Sequence, residues 1–251
     1  MLEGWLARGL KPKQVTVIEP QPARALKALA RRGLRINPKG KIGPATAIVV
    51  AVKPQSAPEA VPPLAPYVGK ATLVLSIMAG RTIGFLEKTL PPGAAIVRAM
   101  PNTPAAIGRG ISIAVANRNV SARQRKQASD LLAAIGKVEW VGDETLMDAV
   151  TALSGSGPAY LFLLVEAMTK AGVAAGLPAD LAGILARETV TGSAELLHRS
   201  DLDAATLRPN VTSPGGTTAA ALEVLMGADG FDALLTHAIA AATRRSRALA
   251  G

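Results

Sequence analysis

The residue pattern changes its period once, near Gly142, and that change restricts the chain to a small set of folds. Before it, β-branched runs at 15–19, 47–52, 72–77, 95–100, 111–116 and 138–141 alternate with helix-like stretches. Such alternation predicts a mostly parallel sheet covered by helices. The helices carry their own punctuation. The stretch 23–32 stops at Gly33, and 121–135 opens on a Ser121/Gln124 capping box and closes at Gly136. Beyond Gly142, Ala- and Leu-rich segments of helical period are broken at 154–158, 176–178, 208–216 and 227–230, which predicts an all-helical second domain. Pro158 and Pro178 fall where a first helical turn begins and a missing N–H costs least. The expected division is a Rossmann-like α/β domain over residues 1–142 and an all-α domain over 143–251.

Composition removes several functional classes. The chain has no cysteine, which excludes disulfides and thiolate chemistry, and His198 and His237 are too few for a histidine-built metal cage. No metal is expected. The net charge of +10 raises the question of nucleic acid, but the basic residues are scattered and aromatics at 3% offer no stacking platform. A solvated basic surface is the expectation, with no nucleic-acid partner. Apolar runs such as 47–52 and 161–165 are far shorter than the roughly 20 residues of a membrane span, so no transmembrane helix is expected. Residues 1–5 have none of the features of a secretory leader, and the expected location is the cytoplasm.

A dinucleotide-binding domain opens with a strand, a glycine-rich turn and a helix whose N-terminus holds the pyrophosphate. Here residues 1–8 read as that helix, stopped by Gly9, with the strand at 15–19 following. The expectation is a sheet without its first strand and phosphate loop, leaving unpaired edges in its middle. Glu19 ends the next strand, where a carboxylate accepts the hydroxyls of an adenosine ribose and favours NADH; Arg24 instead suits a 2′-phosphate, and plain solvation of Glu19 is a third reading. Ala51, Val52 and Lys53, then Ile77, Met78 and Ala79, then Asn102, follow strands whose ends share the ligand-binding edge of such sheets. Lys53-Pro54 and Asn102-Thr103-Pro104 also end strands for backbone reasons, and it is the shared edge that favours a cofactor crevice. Two further segments, 148–160 and 211–218, read as small-residue loops feeding helices. Their N–H groups and hydroxyls suit a carboxylate, and equally suit helix capping alone.

Taken together, Met100-Pro101-Asn102-Thr103-Pro104, the run Thr151-Ala152-Leu153-Ser154-Gly155-Ser156-Gly157-Pro158-Ala159-Tyr160, the Ala171-Gly172-Val173 segment with Gly176-Leu177-Pro178, and Thr212-Ser213-Pro214-Gly215-Gly216-Thr217-Thr218 resemble pyrroline-5-carboxylate reductase. The resemblance spans essentially the whole chain. It implies reduction of the C=N bond of 1-pyrroline-5-carboxylate to L-proline with NADPH or NADH, the last step of proline biosynthesis. It also implies that the helical domain is a dimerisation domain and that a second subunit completes the active site. By the same resemblance Ser213, Gly215, Gly216, Thr217 and Thr218 bind the substrate carboxylate, and Thr218 is the candidate for the imine nitrogen. Ala51, Val52, Lys53, Ile77, Met78, Ala79 and Asn102 are implied cofactor contacts. Two rivals remain. One is a two-domain hydroxyacid dehydrogenase, against which stands the lack of a convincing catalytic lysine: Lys170 has Glu166 four residues before it and reads as a surface pair. The other is a module of the same family that assembles without binding nicotinamide.

Overall fold

The structure is a computed structural model that describes residues 1–39 and 42–250. The chain divides into two compact units, Met1–Gly155 with Arg245–Gly251, and Ser156–Arg244.

In the first unit the described strands form two sheets. Strands β1 (Thr16–Val17) and β2 (Arg35–Ile36) pair in parallel, Thr16 opposite Arg35 and Val17 opposite Ile36. Strands β3 (Ala47–Val50), β4 (Leu73–Ser76), β5 (Ala95–Met100), β6 (Gly110–Ala116) and β7 (Gly136–Trp140) form the second sheet in that order. Among the described residues no ladder joins the two sheets.

Strands β3 to β5 run parallel because long connections, residues 51–72 and 77–94, join each to the next. Strand β6 departs from the expected parallel pattern and runs antiparallel to β5, with Val97 opposite Ala116 and Met100 opposite Ile113. The reason is length. Only residues 101–109 join these strands, fewer than the roughly dozen a parallel crossover needs, so the chain must turn back. Strand β7 then pairs in parallel with β6 through helix α5 (Ala122–Ala133), whose expected capping box is present: Ser121 Oγ accepts from Gln124 N, and Gln124 Oε1 accepts from Ser121 N.

Both faces of the five-stranded sheet are covered, so its central strands are mostly apolar, with Ser76, Arg98 and Ser112 as buried exceptions. Along β4, Leu73 and Leu75 point to one face and Val74 to the other, all fully buried. On one face Val50, Val74 and Ile96 pack with residues of helices α3 (Ala57–Ala60), α4 (Ile83–Thr89) and α6 (Met147–Val150), among them Leu86 and Met147. The other carries Leu73, Leu75, Val97 and Ala99 against Ala128 and Leu132 of α5. Each such leucine contributes about 2 kcal/mol on leaving water. Helix α1 (Leu2–Ala7) closes on α5 through a bond of 2.7 Å from Trp5 Nε1 to Leu131 O, and α2 (Arg24–Ala30) links β1 to β2.

The second unit is helical throughout: α7 (Gly157–Ala174), α8 (Ala179–Arg199), α9 (Ala204–Asn210), α10 (Thr217–Leu225) and α11 (Phe231–Ala250), the last reaching into the first unit. Helices α7 and α8 form a hairpin turned at Gly176, which holds φ +101° while Leu177 N donates back to Gly172 O. Pro158 lies in the first turn of α7 as expected, and Pro178 sits one residue earlier than expected, as the N-cap of α8.

One expectation is corrected here. Helical backbone reaches further than expected into residues 154–158: Thr151–Gly155 form a π-helical turn after α6, and the break narrows to a bend at Ser156 before α7. Joined in this way, the run Glu144–Ala174 is long and apolar enough to cross a membrane by length and composition, which the separate short runs in the sequence concealed.

Glycine is obligatory at Gly136, where φ is +145° and a Cβ would run into the backbone carbonyl of Gly110 across the start of the β6–β7 ladder. Gly136→Ala should destabilise the protein by about 3 kcal/mol or more in urea unfolding, whereas Gly142→Ala, with open space around it, should stay within about 0.5 kcal/mol.

Candidate functional site

Three parallel strands deliver the expected cofactor residues to one edge of the sheet. Strand β3 ends at Val50 and is followed by Ala51, Val52 and Lys53; β4 ends at Ser76 and is followed by Ile77, Met78 and Ala79; β5 ends at Met100, with Asn102 two residues on. Parallel pairing of these strands makes their carboxyl ends neighbours. The groups they offer differ. Ala51 and Lys53 are exposed and Val52 is half-buried. Met78 is 2% exposed and belongs to the core, so what it can present to a ligand is its backbone. Asn102 Oδ1 accepts from Ile111 N at 3.0 Å and closes the turn into β6, which leaves its Nδ2 as the group to offer a ligand.

Glu19 lies beyond β1, on the smaller sheet. Its backbone is clamped by Asn37, whose Oδ1 accepts from Glu19 N at 2.9 Å and whose Nδ2 donates to Glu19 O at 2.7 Å. Asn37 holds φ +43°, a conformation asparagine tolerates. The Glu19 carboxylate accepts from Gln21 N at 2.9 Å, so part of it is already spent on its own turn.

The loop at the edge of β4 is restrained by contacts that sequence reasoning missed. Thr82 caps α4 by accepting from Phe85 N, and Glu144 Oε1 accepts from Ile83 N at 2.8 Å. The same Glu144 oxygen accepts from Arg98 Nη1, also at 2.8 Å, and the Arg98 side chain on β5 is only 5% exposed. Arg81 Nε donates to Pro54 O at 2.9 Å and so ties the β4 loop to the β3 loop. No local pattern announces these residues, because each acts through a partner far away in the chain. Gly155, in the π-turn, lies where a Cβ would stand 2.6 Å from Met100 Cε, so its lack of a side chain lets the turn pack against the end of β5.

In the helical unit, residues 213–216 form the expected loop before α10. Gly216 N donates to Ser213 O at 3.0 Å, Gly215 holds φ +69°, and Gly216 is the N-cap. No side chain caps this helix, so the first-turn N–H groups around Thr217 and Thr218 lie at a positive helix end suited to an anion. Thr218 is half-buried; Ser213, Gly215 and Thr217 are exposed. By contrast α9, the helix before this loop, is capped by Asp203. The side-chain and backbone hydrogen bonds from Thr206 hold the Asp203 carboxyl below its ordinary value of 3.8. Asp143, just ahead of Glu144, is lowered in the same way by Thr145. Among the described residues no group of His, Asp or Glu could hold a metal ion.

Comparison with known proteins follows the same division. Residues 144–249 match the family model described as pyrroline-5-carboxylate reductase dimerisation, and residues 1–80 match NADP oxidoreductase, coenzyme F420-dependent. The pyrroline-5-carboxylate reductase of Pseudomonas aeruginosa is 40% identical over 100% of this chain and 92% of its own length, and that of Mycobacterium tuberculosis is 40% identical over 99% and 92%. Among solved structures, the pyrroline-5-carboxylate reductase of Coxiella burnetii matches with a TM-score of 0.88 at 33% identity, covering 100% of this chain and 93% of that one. The Plasmodium falciparum pyrroline carboxylate reductase with NADP bound matches at 0.80 and 31% identity, covering 99% and 92%.

Two outcomes are expected. Glu144→Gln leaves the buried Arg98 charge without a counterion and should cost roughly 2 kcal/mol in chemical unfolding, partly recovered in the double variant Arg98→Met/Glu144→Gln. Because the folded Asp203 carboxyl titrates below 3.8, its capping contribution is present above that pH and fades as pH falls through the lowered folded value. The stability difference between the protein and Asp203→Ala should therefore be constant near neutrality and vanish at strongly acidic pH, as read from thermal unfolding across pH.

Proposed function

Since the chain belongs to the pyrroline-5-carboxylate reductase family, we propose that it reduces the C=N bond of 1-pyrroline-5-carboxylate to L-proline with NADPH or NADH, completing proline biosynthesis in the cytoplasm. The observation that carries this reading is the pairing of a cofactor edge on the β3–β5 sheet with an uncapped anion-binding helix start at α10 in one chain.

The residues at the edge suit a dinucleotide. Ala51, Ala79 and Gly80 present nothing larger than a methyl group, so a flat ring can approach their backbone closely. Lys53 and the Nδ2 of Asn102 are the polar contacts, Val52, Ile77 and the Met78 backbone form the apolar wall, and Glu19 takes the adenosine side. When bound, the dinucleotide supplies the hydride. The chain's own work is orientation. Ser213, Gly215, Gly216, Thr217 and Thr218 hold the substrate carboxylate through N–H groups and hydroxyls, and the Thr218 hydroxyl hydrogen-bonds the ring nitrogen, donating to the neutral imine or accepting from the iminium N–H. A threonine hydroxyl is a poor acid, so Thr218 positions the ring while the proton arrives on a preformed iminium or through water.

The same reading gives the helical region its second task. Phe162 is 66% exposed and Ile184 60%, on helices rich in exposed leucine. A second copy of the chain covers this surface, forming at least a dimer and completing each active site, and the apolar run Glu144–Ala174 is part of that interface rather than a membrane segment. No nucleic-acid partner is proposed. The lack of a ladder between the two sheets among the described residues favours one alternative, a chain that assembles through its helices without binding nicotinamide.

The test is NADPH and NADH oxidation with 1-pyrroline-5-carboxylate, alongside sedimentation to measure assembly. Turnover supports the reductase reading, and assembly with neither turnover nor cofactor binding supports the alternative. Thr218→Val should lower kcat about 10- to 100-fold while Thr218→Ser retains most of it; equal losses in both would remove the hydroxyl from the mechanism.

A further inference from the structure

The loop that carries Ile77, Met78 and Ala79 is held from three directions. Arg81 ties it to Pro54, and Glu144 holds Ile83 where α4 begins. The third restraint comes from the far end of the chain, whose last residues belong to the first unit. Ser246 is 6% exposed and donates its hydroxyl to Asp148 Oδ1 at 2.6 Å, with Arg247 Nε 3.9 Å from Asp148 Oδ2. A hydroxyl-to-carboxylate bond this short is charge-assisted, and burial keeps water from replacing it. It fixes the final turn of α11 so that the Leu249 backbone lies against Gly80. A Cβ on Gly80 would stand 3.5 Å from Leu249 O, and Gly80 holds φ +72°. Asp148 itself lies on α6, directly before the π-turn that packs on Met100.

We propose that the Ser246–Asp148 bond is a positioning device for the cofactor edge: it seats the C-terminal turn of α11 on Gly80 and thereby sets the backbone of Met78 and Ala79 for the nicotinamide. This rests on the cofactor reading given above. Ser246 bonds Asp148 and is not among the proposed substrate or cofactor contacts, so it acts through the loop and is a positioning residue. Its loss leaves the loop attached at Arg81 and Ile83 but unsupported at Gly80. Dinucleotide affinity then falls, while the turnover of bound substrate changes little.

The experiment compares the protein with Ser246→Ala and Ser246→Thr. NADPH affinity is read from the fluorescence of the reduced nicotinamide, loop opening from hydrogen exchange at residues 78–81, and turnover at saturating NADPH from steady-state rates. Ser246→Ala should bind NADPH about fivefold more weakly, exchange faster at 78–81 and keep kcat within about twofold. Ser246→Thr keeps the hydroxyl and should restore both affinity and protection. Unchanged affinity in Ser246→Ala overturns the proposal, as does faster exchange without loss of affinity, which would mark a bond that is merely structural. Equal loss in Ser246→Thr overturns it too. If the parent protein binds no NADPH, the cofactor reading fails and takes the proposed purpose of the bond with it. Hydrogen exchange then reports separately whether the C-terminal turn holds the loop.

Discussion

One carboxylate oxygen joins the pieces of the first unit that have to agree with each other. Glu144 Oε1 receives the guanidinium of Arg98 from the middle of β5 and the first free N–H of α4 from the β4 loop, while Glu144 itself opens the helical run that continues into α7. Arginine in the interior of a sheet is costly unless a counterion meets it there, and a helix start needs an acceptor for its unpaired donors. A single side chain answers both requirements. Its position therefore governs where the β4 loop lies relative to the β5 end, and these are two of the three segments proposed to form the cofactor edge.

Much of this arrangement was legible in the residues. The runs at 47–52, 72–77 and 95–100 became strands within two residues of their expected limits, because strands buried on both faces are apolar at most positions. The Ser121/Gln124 box and the stops at Gly33 and Gly136 were equally plain, being local chemistry. Direction was not legible in β6. Apolar pattern says nothing about which way a strand runs, and the length of the connection at 101–109 carried the information instead. Strand β2 escaped notice because two residues are too few to show a period.

The site divides along the same line. The turn at Ser213–Gly216 could be read from its glycines, since Gly215 needs a positive φ and an uncapped helix follows. The π-turn could not, because Gly155 and its serine neighbours look like a break until Met100 is seen to press against them. Glu144, Arg98, Asn37 and Ser246 have no motif at all. Each matters through a partner that only the fold brings near, at separations of 18 to 98 residues. A helical unit whose leucines face outward makes the related point about assembly: one copy of the chain does not bury the apolar surface it encodes, and its folding and its association draw on the same side chains.

The reversal of β6 has a consequence for the shape of the ligand-binding edge. Since β6 runs against β5, it opens at this edge with Gly110 and finishes at the opposite one, where Asn117 and Asn119 bond back to Ala94 at the start of β5. The edge thus has three parallel strands and, beside the third, a kerb made by the close turn through Asn102 and Ile111. A dinucleotide lying across the strand ends, as proposed, meets that kerb and extends toward β3. On that reading the cofactor is measured from one fixed end.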